Sequence, residues 1–146
     1  MTDTGEVTIL LVEDDPGHAR LIEKNLRRNS VRNEIVQLPG GREVLDYLRG
    51  QGSYQGSPRP NRILVLLDLN LPGLDGYQVL EQLKADPLTQ RIPVVVLTTT
   101  EDHREVDRCY ELGCSIFVTK PVNYAEFSDT LRRLGELLSI VKVPQR

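Results

Sequence analysis

Cysteine and histidine are scarce in this chain, and their scarcity removes several classes of function at the outset. Two cysteines, Cys109 and Cys114, among 146 residues cannot build a disulfide framework. With His18 and His103 as the only imidazoles, the ligand supply for a zinc site is poor as well. No apolar run approaches the roughly 20 residues that cross a bilayer. An excess of positive charge is also missing. Lys and Arg number 18 against 21 Asp and Glu, a net charge of -3, so there is no basic footprint for nucleic acid or an anionic membrane. The opening residues Met1-Thr2-Asp3-Thr4-Gly5-Glu6 are polar and acidic, unlike a secretory leader. The expectation is a reduced, cytoplasmic protein with neither nucleic acid nor membrane as partner.

What remains is one domain's worth of chain with an ordinary composition, 39% hydrophobic and 27% charged. Apolar runs of strand length alternate with helical periodicity, five times over. Strands are expected at 7–12, 34–38, 63–68, 93–98 and 116–119, and helices at 17–28, 42–49, 76–86, 101–112 and 124–138. The last helix carries the clearest stripe, with Phe127, Leu131, Leu134 and Leu138 on one face. Start signals agree: Asp15-Pro16 reads as N-cap and first helical residue, Thr99 stands three before Asp102, and Asn123 three before Glu126. Gly50 and Gly113 suit helix C-termini. Regular alternation of this kind implies a parallel sheet with helices on both faces. The domain is expected to span 1–146, with a core at about 7–138, a polar arm at 1–6 and a tail at 139–146. That tail carries Ile140, Val141 and Val143, too apolar for a purely solvated end. Residues 50–61 have loop composition and exceed the usual connection length.

One charge is out of place. Asp68 follows the aliphatic run Ile63-Leu64-Val65-Leu66-Leu67 and precedes a Pro72-Gly73 turn, so it projects from the carboxyl end of a buried strand. The first strand likewise runs into Glu13-Asp14-Asp15. In doubly wound sheets the ligand site lies beyond the carboxyl ends of the strands. That rule gathers Glu13, Asp14, Asp68, Thr98 and Lys120 at one edge. Clustered carboxylates repel, so a cation binds or a pKa rises. Oxygen donors without thiolate or imidazole favour Mg²⁺. Acid, hydroxyl, ammonium and Mg²⁺ together suit a tetrahedral oxyanion, and a carboxylate can itself accept a phosphoryl group.

The strings Leu11-Val12-Glu13-Asp14-Asp15, Leu67-Asp68-Leu69-Asn70-Leu71-Pro72-Gly73-Leu74-Asp75-Gly76, Val96-Leu97-Thr98-Thr99 and Lys120-Pro121 resemble the receiver domain of two-component response regulators. The likeness runs from about Val7 to Leu138. It implies a flavodoxin-like (βα)5 fold with strand order 2-1-3-4-5. It also implies Asp68 as phosphoacceptor, Mg²⁺ held by Asp14, Glu13, Asp68 and the backbone carbonyl of Asn70, and Thr98 and Lys120 bonded to the phosphoryl group. Phe117 would move with Thr98 as a switch, read out by packing because it lacks a hydroxyl. The Lys120–Pro121 bond is usually cis in the family. Val12-Glu13-Asp14-Asp15-Pro16, Asp46-Tyr47-Leu48-Arg49-Gly50 with its long loop, and 92–99 resemble single-domain regulators paired with bacterial phytochrome-type histidine kinases. The resemblance implies a sensor kinase as partner and no attached output domain. Output through the face of the fourth helix, fifth strand and fifth helix follows, with a homodimer there extended by the tail.

Two other functions fit less well. A Mg²⁺-dependent phosphohydrolase needs a second acid two residues after its nucleophile, and Asn70 stands there. A flavin binder would set its phosphate against acidic strand ends with no phosphate-binding loop. Asn70, Thr99 and Thr100 offer no base to activate water, so slow loss of the phosphoryl group is expected. Simpler roles are assigned elsewhere: Asp75 to a turn, both histidines to solvated first turns, both cysteines to packing, and Tyr54 with Pro58-Arg59-Pro60 to loop surface.

Overall fold

The computed structural model describes residues 4–146. Strands β1 (Thr8–Val12), β2 (Ile35–Leu38), β3 (Ile63–Leu67), β4 (Val94–Thr98) and β5 (Ile116–Thr119) alternate with helices α1 (Pro16–Arg28), α2 (Gly41–Arg49), α3 (Gly76–Ala85), α4 (His103–Leu112) and α5 (Tyr124–Leu138). The sheet is wholly parallel in the order β2-β1-β3-β4-β5, as the family likeness implied. β3 and β4 are buried at every position, which is why their sequences are aliphatic without alternation.

Strand parity sorts the core into two layers. Leu10, Val12, Val65, Leu67, Val94 and Val96 face α2, α3 and α4, while Ile9, Leu11, Leu64, Leu66, Val95 and Leu97 face α1 and α5. Each such side chain contributes about 1.5–3 kcal/mol by leaving water. The α5 stripe of Phe127, Leu131, Leu134 and Leu138 is buried against the second layer. Register brings the strand ends to one edge: Val12 pairs with Leu67, Leu67 with Val96 and Thr98 with Thr119, so β4 and β5 run two residues past β1 and β3. The residues following β1, β3 and β5 therefore emerge at the same edge of the sheet.

Caps set the helix starts. The Asp15 carboxylate accepts from the Gly17 and His18 amides, and Asn123 from those of Ala125 and Glu126. Asp75 is more than a turn residue, since it forms a reciprocal capping box with Gln78 at α3. α4 begins two residues later than expected. Asp102 caps it by accepting from the Arg104 amide, and Thr99 takes no part in the cap. Gly50 and Gly113 hold left-handed conformations at the ends of α2 and α4, as their positions predicted.

Two other expectations are corrected, and the apolar tail finds its cover. Every peptide bond among the described residues is trans, Lys120–Pro121 included, so the cis bond implied by the resemblance is not found. Tyr54 is not free loop surface. It lies in a 3-10 turn, Gly52–Tyr54, and meets the Tyr47 ring edge-on at 5.2 Å. The tail folds back on its own chain. Val143 is buried beside α1 and α5, and the Arg146 amide donates to the Asn61 carbonyl at 3.0 Å. Its apolar residues are thus largely consumed within the chain, which leaves Ile140 exposed. Residues 1–3 of the expected polar arm lie outside the described residues. No helix among those described is long and apolar enough to cross a membrane.

Candidate functional site

The five residues expected at the carboxyl edge of the sheet do converge there. Glu13 and Asp14 follow β1, Asp68 follows β3, Thr98 ends β4 and Lys120 follows β5. Four of them are buried polar groups: Glu13, Asp68, Thr98 and Lys120, each at most 9% exposed. Asp14 alone is open to solvent. Buried polar groups require partners, and these find them mainly in one another.

Lys120 is the hub. Its Nζ lies 3.0 Å from Glu13 Oε2 and 3.8 Å from Asp68 Oδ2. Its backbone amide donates to the Thr98 carbonyl, which ties the β5 exit to the end of β4. Glu13 Oε1 accepts from the Asp15 amide at 3.2 Å. Asp68 Oδ1 accepts from the Asn70 amide at 3.0 Å, and the Asn70 side-chain amide reaches Thr98 Oγ1 at 3.4 Å. Burial pushes the Asp68 carboxyl up to about 7, with the neighbouring Glu13 carboxylate adding to the rise. The Asn70 amide and the Lys120 ammonium oppose it.

The loop carrying Asp68 is held in place by Gly76 at the start of α3. A Cβ there would stand 2.5 Å from Leu69 Cα and 2.6 Å from the Asp68 carbonyl oxygen, both backbone atoms unable to retreat. The glycine at this place in the motif is therefore a requirement of close approach.

Glu13, Asp14 and Asp68 each present a carboxylate oxygen, and the three lie within 4.8 Å of one another. Lys120 supplies one positive charge to this group and reaches only Glu13 and Asp68. A donor set of hard oxygens with a deficit of positive charge fits a divalent cation of the Mg²⁺ or Mn²⁺ kind.

Phe117 pairs with Val96 on the sheet face that Thr98 also occupies, half-buried against the first core layer. Sequence reasoning missed its partner. The Phe117 amide, on the outer edge of β5, donates to the Tyr110 hydroxyl of α4 at 3.1 Å. Thr100 turns its hydroxyl to Glu105 at 2.5 Å, away from a role at Asp68. Thr99 is exposed. His18, expected in solvent, places Nδ1 4.0 Å from Glu13 Oε1 while remaining half-exposed. Neither contact has a signal in the spacing of the chain, because each depends on how a helix settles on the sheet.

Known proteins resemble this chain in sequence and fold. Residues 9–132 match the family described as response regulator receiver domain. The response regulator Rcp1 of Synechocystis sp. is 44% identical over 115 residues, 79% of this chain and 77% of that protein. Its structure in a Mn(2+)-bound form superposes with a TM-score of 0.85 at 39% identity, covering 94% of this chain and 98% of that one. A response regulator receiver domain from Rhodospirillum rubrum gives a TM-score of 0.87 at 49% identity, covering 94% and 97%. The phosphorylated cyanobacterial phytochrome response regulator RcpA gives 0.84 at 38% identity, covering 95% and 99%. With the sheet order, the acidic edge and a family match over most of its length, this chain belongs to the response regulator receiver domain family.

Proposed function

We propose that the protein accepts a phosphoryl group onto Asp68 from a sensor histidine kinase of the phytochrome type, with Mg²⁺ at the acidic edge. The observation that carries this reading is the convergence of Glu13, Asp14, Asp68 and Lys120, with a lysine ammonium 3.8 Å from the acceptor oxygen. The likeness to Rcp1 and RcpA supports the phytochrome-type partner.

The chemistry follows from these groups. A carboxylate oxygen of Asp68 attacks phosphorus, the bond from phosphorus to the kinase imidazole breaks, and its electron pair leaves with that nitrogen. Asp14, Glu13, Asp68 and the Asn70 carbonyl would hold Mg²⁺, whose charge would offset that of the phosphoryl oxygens. Lys120 turns from Glu13 to a phosphoryl oxygen, and the Thr98 hydroxyl donates to another. Movement of Thr98 opens room on the sheet face shared with Phe117, which swings inward. The altered surface of α4, β5 and α5 is the output, and a homodimer through it belongs to the same reading. Because Val141 and Val143 serve the chain's own core, Ile140 is the tail residue left to extend that contact. The domain spans 1–146, is not an enzyme acting on external substrate, and loses its phosphoryl group slowly.

The test is label transfer from an autophosphorylated phytochrome-type kinase in Mg²⁺ buffer. Label is expected on the wild-type protein as a hydroxylamine-labile acyl phosphate and is expected to be absent from Asp68→Asn. Label that stays on the kinase while acetyl phosphate modifies Asp68 would overturn the partner and leave the acceptor standing.

A further inference from the structure

The long loop and the tail meet at the end of the sheet opposite Asp68, and they bring arginines with them. Helices in this fold run antiparallel to their strands, so the ends of α2 and α3 and the start of β3 share the amino edge. A cleft of about 430 Å³ opens there, walled by Arg49, Gln51, Arg59, Asp86 and Arg146. Its volume falls in the range of small-molecule sites.

Two of the three guanidinium groups are fixed by neutral acceptors. Arg49 Nη2 donates to Gln82 Oε1 at 3.2 Å, and Arg146 Nε to the Pro60 carbonyl at 2.8 Å. Arg59 lies across the left-handed Gly50, where a Cβ would come within 2.1 Å of its Nη1. Among the described residues no carboxylate forms an ion pair with any of the three. The one acid in the wall, Asp86, already accepts from the Leu88 amide at 2.9 Å. Burial and the charge of Arg59 both hold Arg146 below its ordinary pKa. A chain of net charge -3 thus gathers three guanidinium groups against one carboxylate at this cleft, and none of the three is in ion-pair contact with an acid among the described residues.

We infer that this cleft is a second ligand site, binding the phosphate group of a small phosphate ester between Arg49, Arg59 and Arg146. Guanidinium forks match tetrahedral oxyanions through paired N–H donors, which selects phosphate over a monodentate anion. Leu48 and Leu88, the latter 73% exposed, add an apolar wall for the organic part. The site lies beyond the phosphoacceptor reading and does not depend on it.

The experiment is a titration of the full chain with phenyl phosphate, and separately with inorganic phosphate, in metal-free buffer. It is followed by amide and arginine Nε–H shifts in ¹H–¹⁵N spectra. Saturable shifts are expected around residues 49–51, 59–61 and 146, with a Kd on the order of 1 mM or tighter and weaker binding of inorganic phosphate. Arg59→Gln and Arg49→Gln are expected to weaken binding about tenfold or more, and Arg59→Lys to restore only part because it keeps the charge and loses the fork. Amide dispersion in each variant's spectrum reports that the fold is retained. Absence of saturation, shifts centred elsewhere, equal affinity for inorganic phosphate, or unchanged affinity in both Gln variants would each overturn the site.

Discussion

Lys120 stands closer to Glu13 than to Asp68, 3.0 Å against 3.8 Å, with the Lys120 and Glu13 side chains at most 5% exposed. The lysine that serves the phosphoryl group in the proposed mechanism therefore rests on a metal-ligand candidate. Removing one partner of a buried ion pair leaves the other charge uncompensated. Lys120→Met is accordingly expected to cost about 3 kcal/mol in urea unfolding of the metal-free protein. Addition of Mg²⁺ should narrow the loss by supplying Glu13 with another cation. A variant as stable as wild type in chelator would contradict the pairing.

Asp68 gives a pH dependence of definite sign. Its carboxyl is raised to about 7 in the fold, chiefly by burial, against an ordinary value near 4. Below about pH 4 it is protonated in both folded and unfolded chains and costs nothing. As pH rises from about 4 to 7 the unfolded chain ionises while the fold resists, so stability falls, and above 7 the loss is constant. Asp68→Asn removes this term. Its melting temperature in chelator should match wild type near pH 4 and exceed it by a few degrees, on the order of 2–5 °C, at pH 8. Saturating Mg²⁺ should abolish the difference. Thermal melts at both pH values with and without metal check this, and a gap that widens toward low pH contradicts it.

Gly76→Ala places a methyl group against the backbone of Asp68 and Leu69. Overpacking of this kind costs about 1–3 kcal/mol. Because the displaced atoms carry Asp68, the proposed acceptor, phosphorylation by acetyl phosphate should slow as well. Chemical denaturation and an initial-rate assay on the same preparation check both effects, and a stable variant that phosphorylates normally refutes the close approach.

Burial of Cys109 raises its thiol to about 11 and leaves it fully inaccessible. Iodoacetamide at pH 8 should label the native protein far more slowly than the protein in urea. Labelling at the rate of a free thiol would show that α4 opens readily.

Much of this molecule is written in local patterns. The α5 stripe and the aliphatic β3 and β4 depend on periodicity, which survives folding unchanged. The strand-end residues were legible because parallel topology turns a position after a strand into a place at one edge. Features made by distant segments were not. Tyr110 reaches Phe117 only because α4 packs beside the edge strand, and Tyr54 meets Tyr47 because the loop curls back on α2. The tail's apolar residues pointed to a homodimer contact, and the structure instead packs Val141 and Val143 against the chain's own core and leaves Ile140 exposed. The start of α4 was misjudged because Thr99 and Asp102 both have capping chemistry, and the Arg104 amide selects Asp102.

Phosphoryl lifetime follows from what surrounds Asp68. Asn70 is a neutral amide and Thr100 is engaged with Glu105, while the carboxylates that do face Asp68, Glu13 and Asp14, are taken up by Lys120 and by the proposed metal, which leaves none to activate water. Loss of the group in Mg²⁺ buffer should take minutes or longer, and a lifetime of seconds contradicts this.

The central claim is that Asp68 accepts the phosphoryl group. Intact-mass spectrometry after incubation with acetyl phosphate and Mg²⁺ tests it most directly, with wild type beside Asp68→Asn. One added phosphoryl group on wild type and none on the variant is the predicted result. Equal gain by both proteins, or gain by neither, would contradict the account.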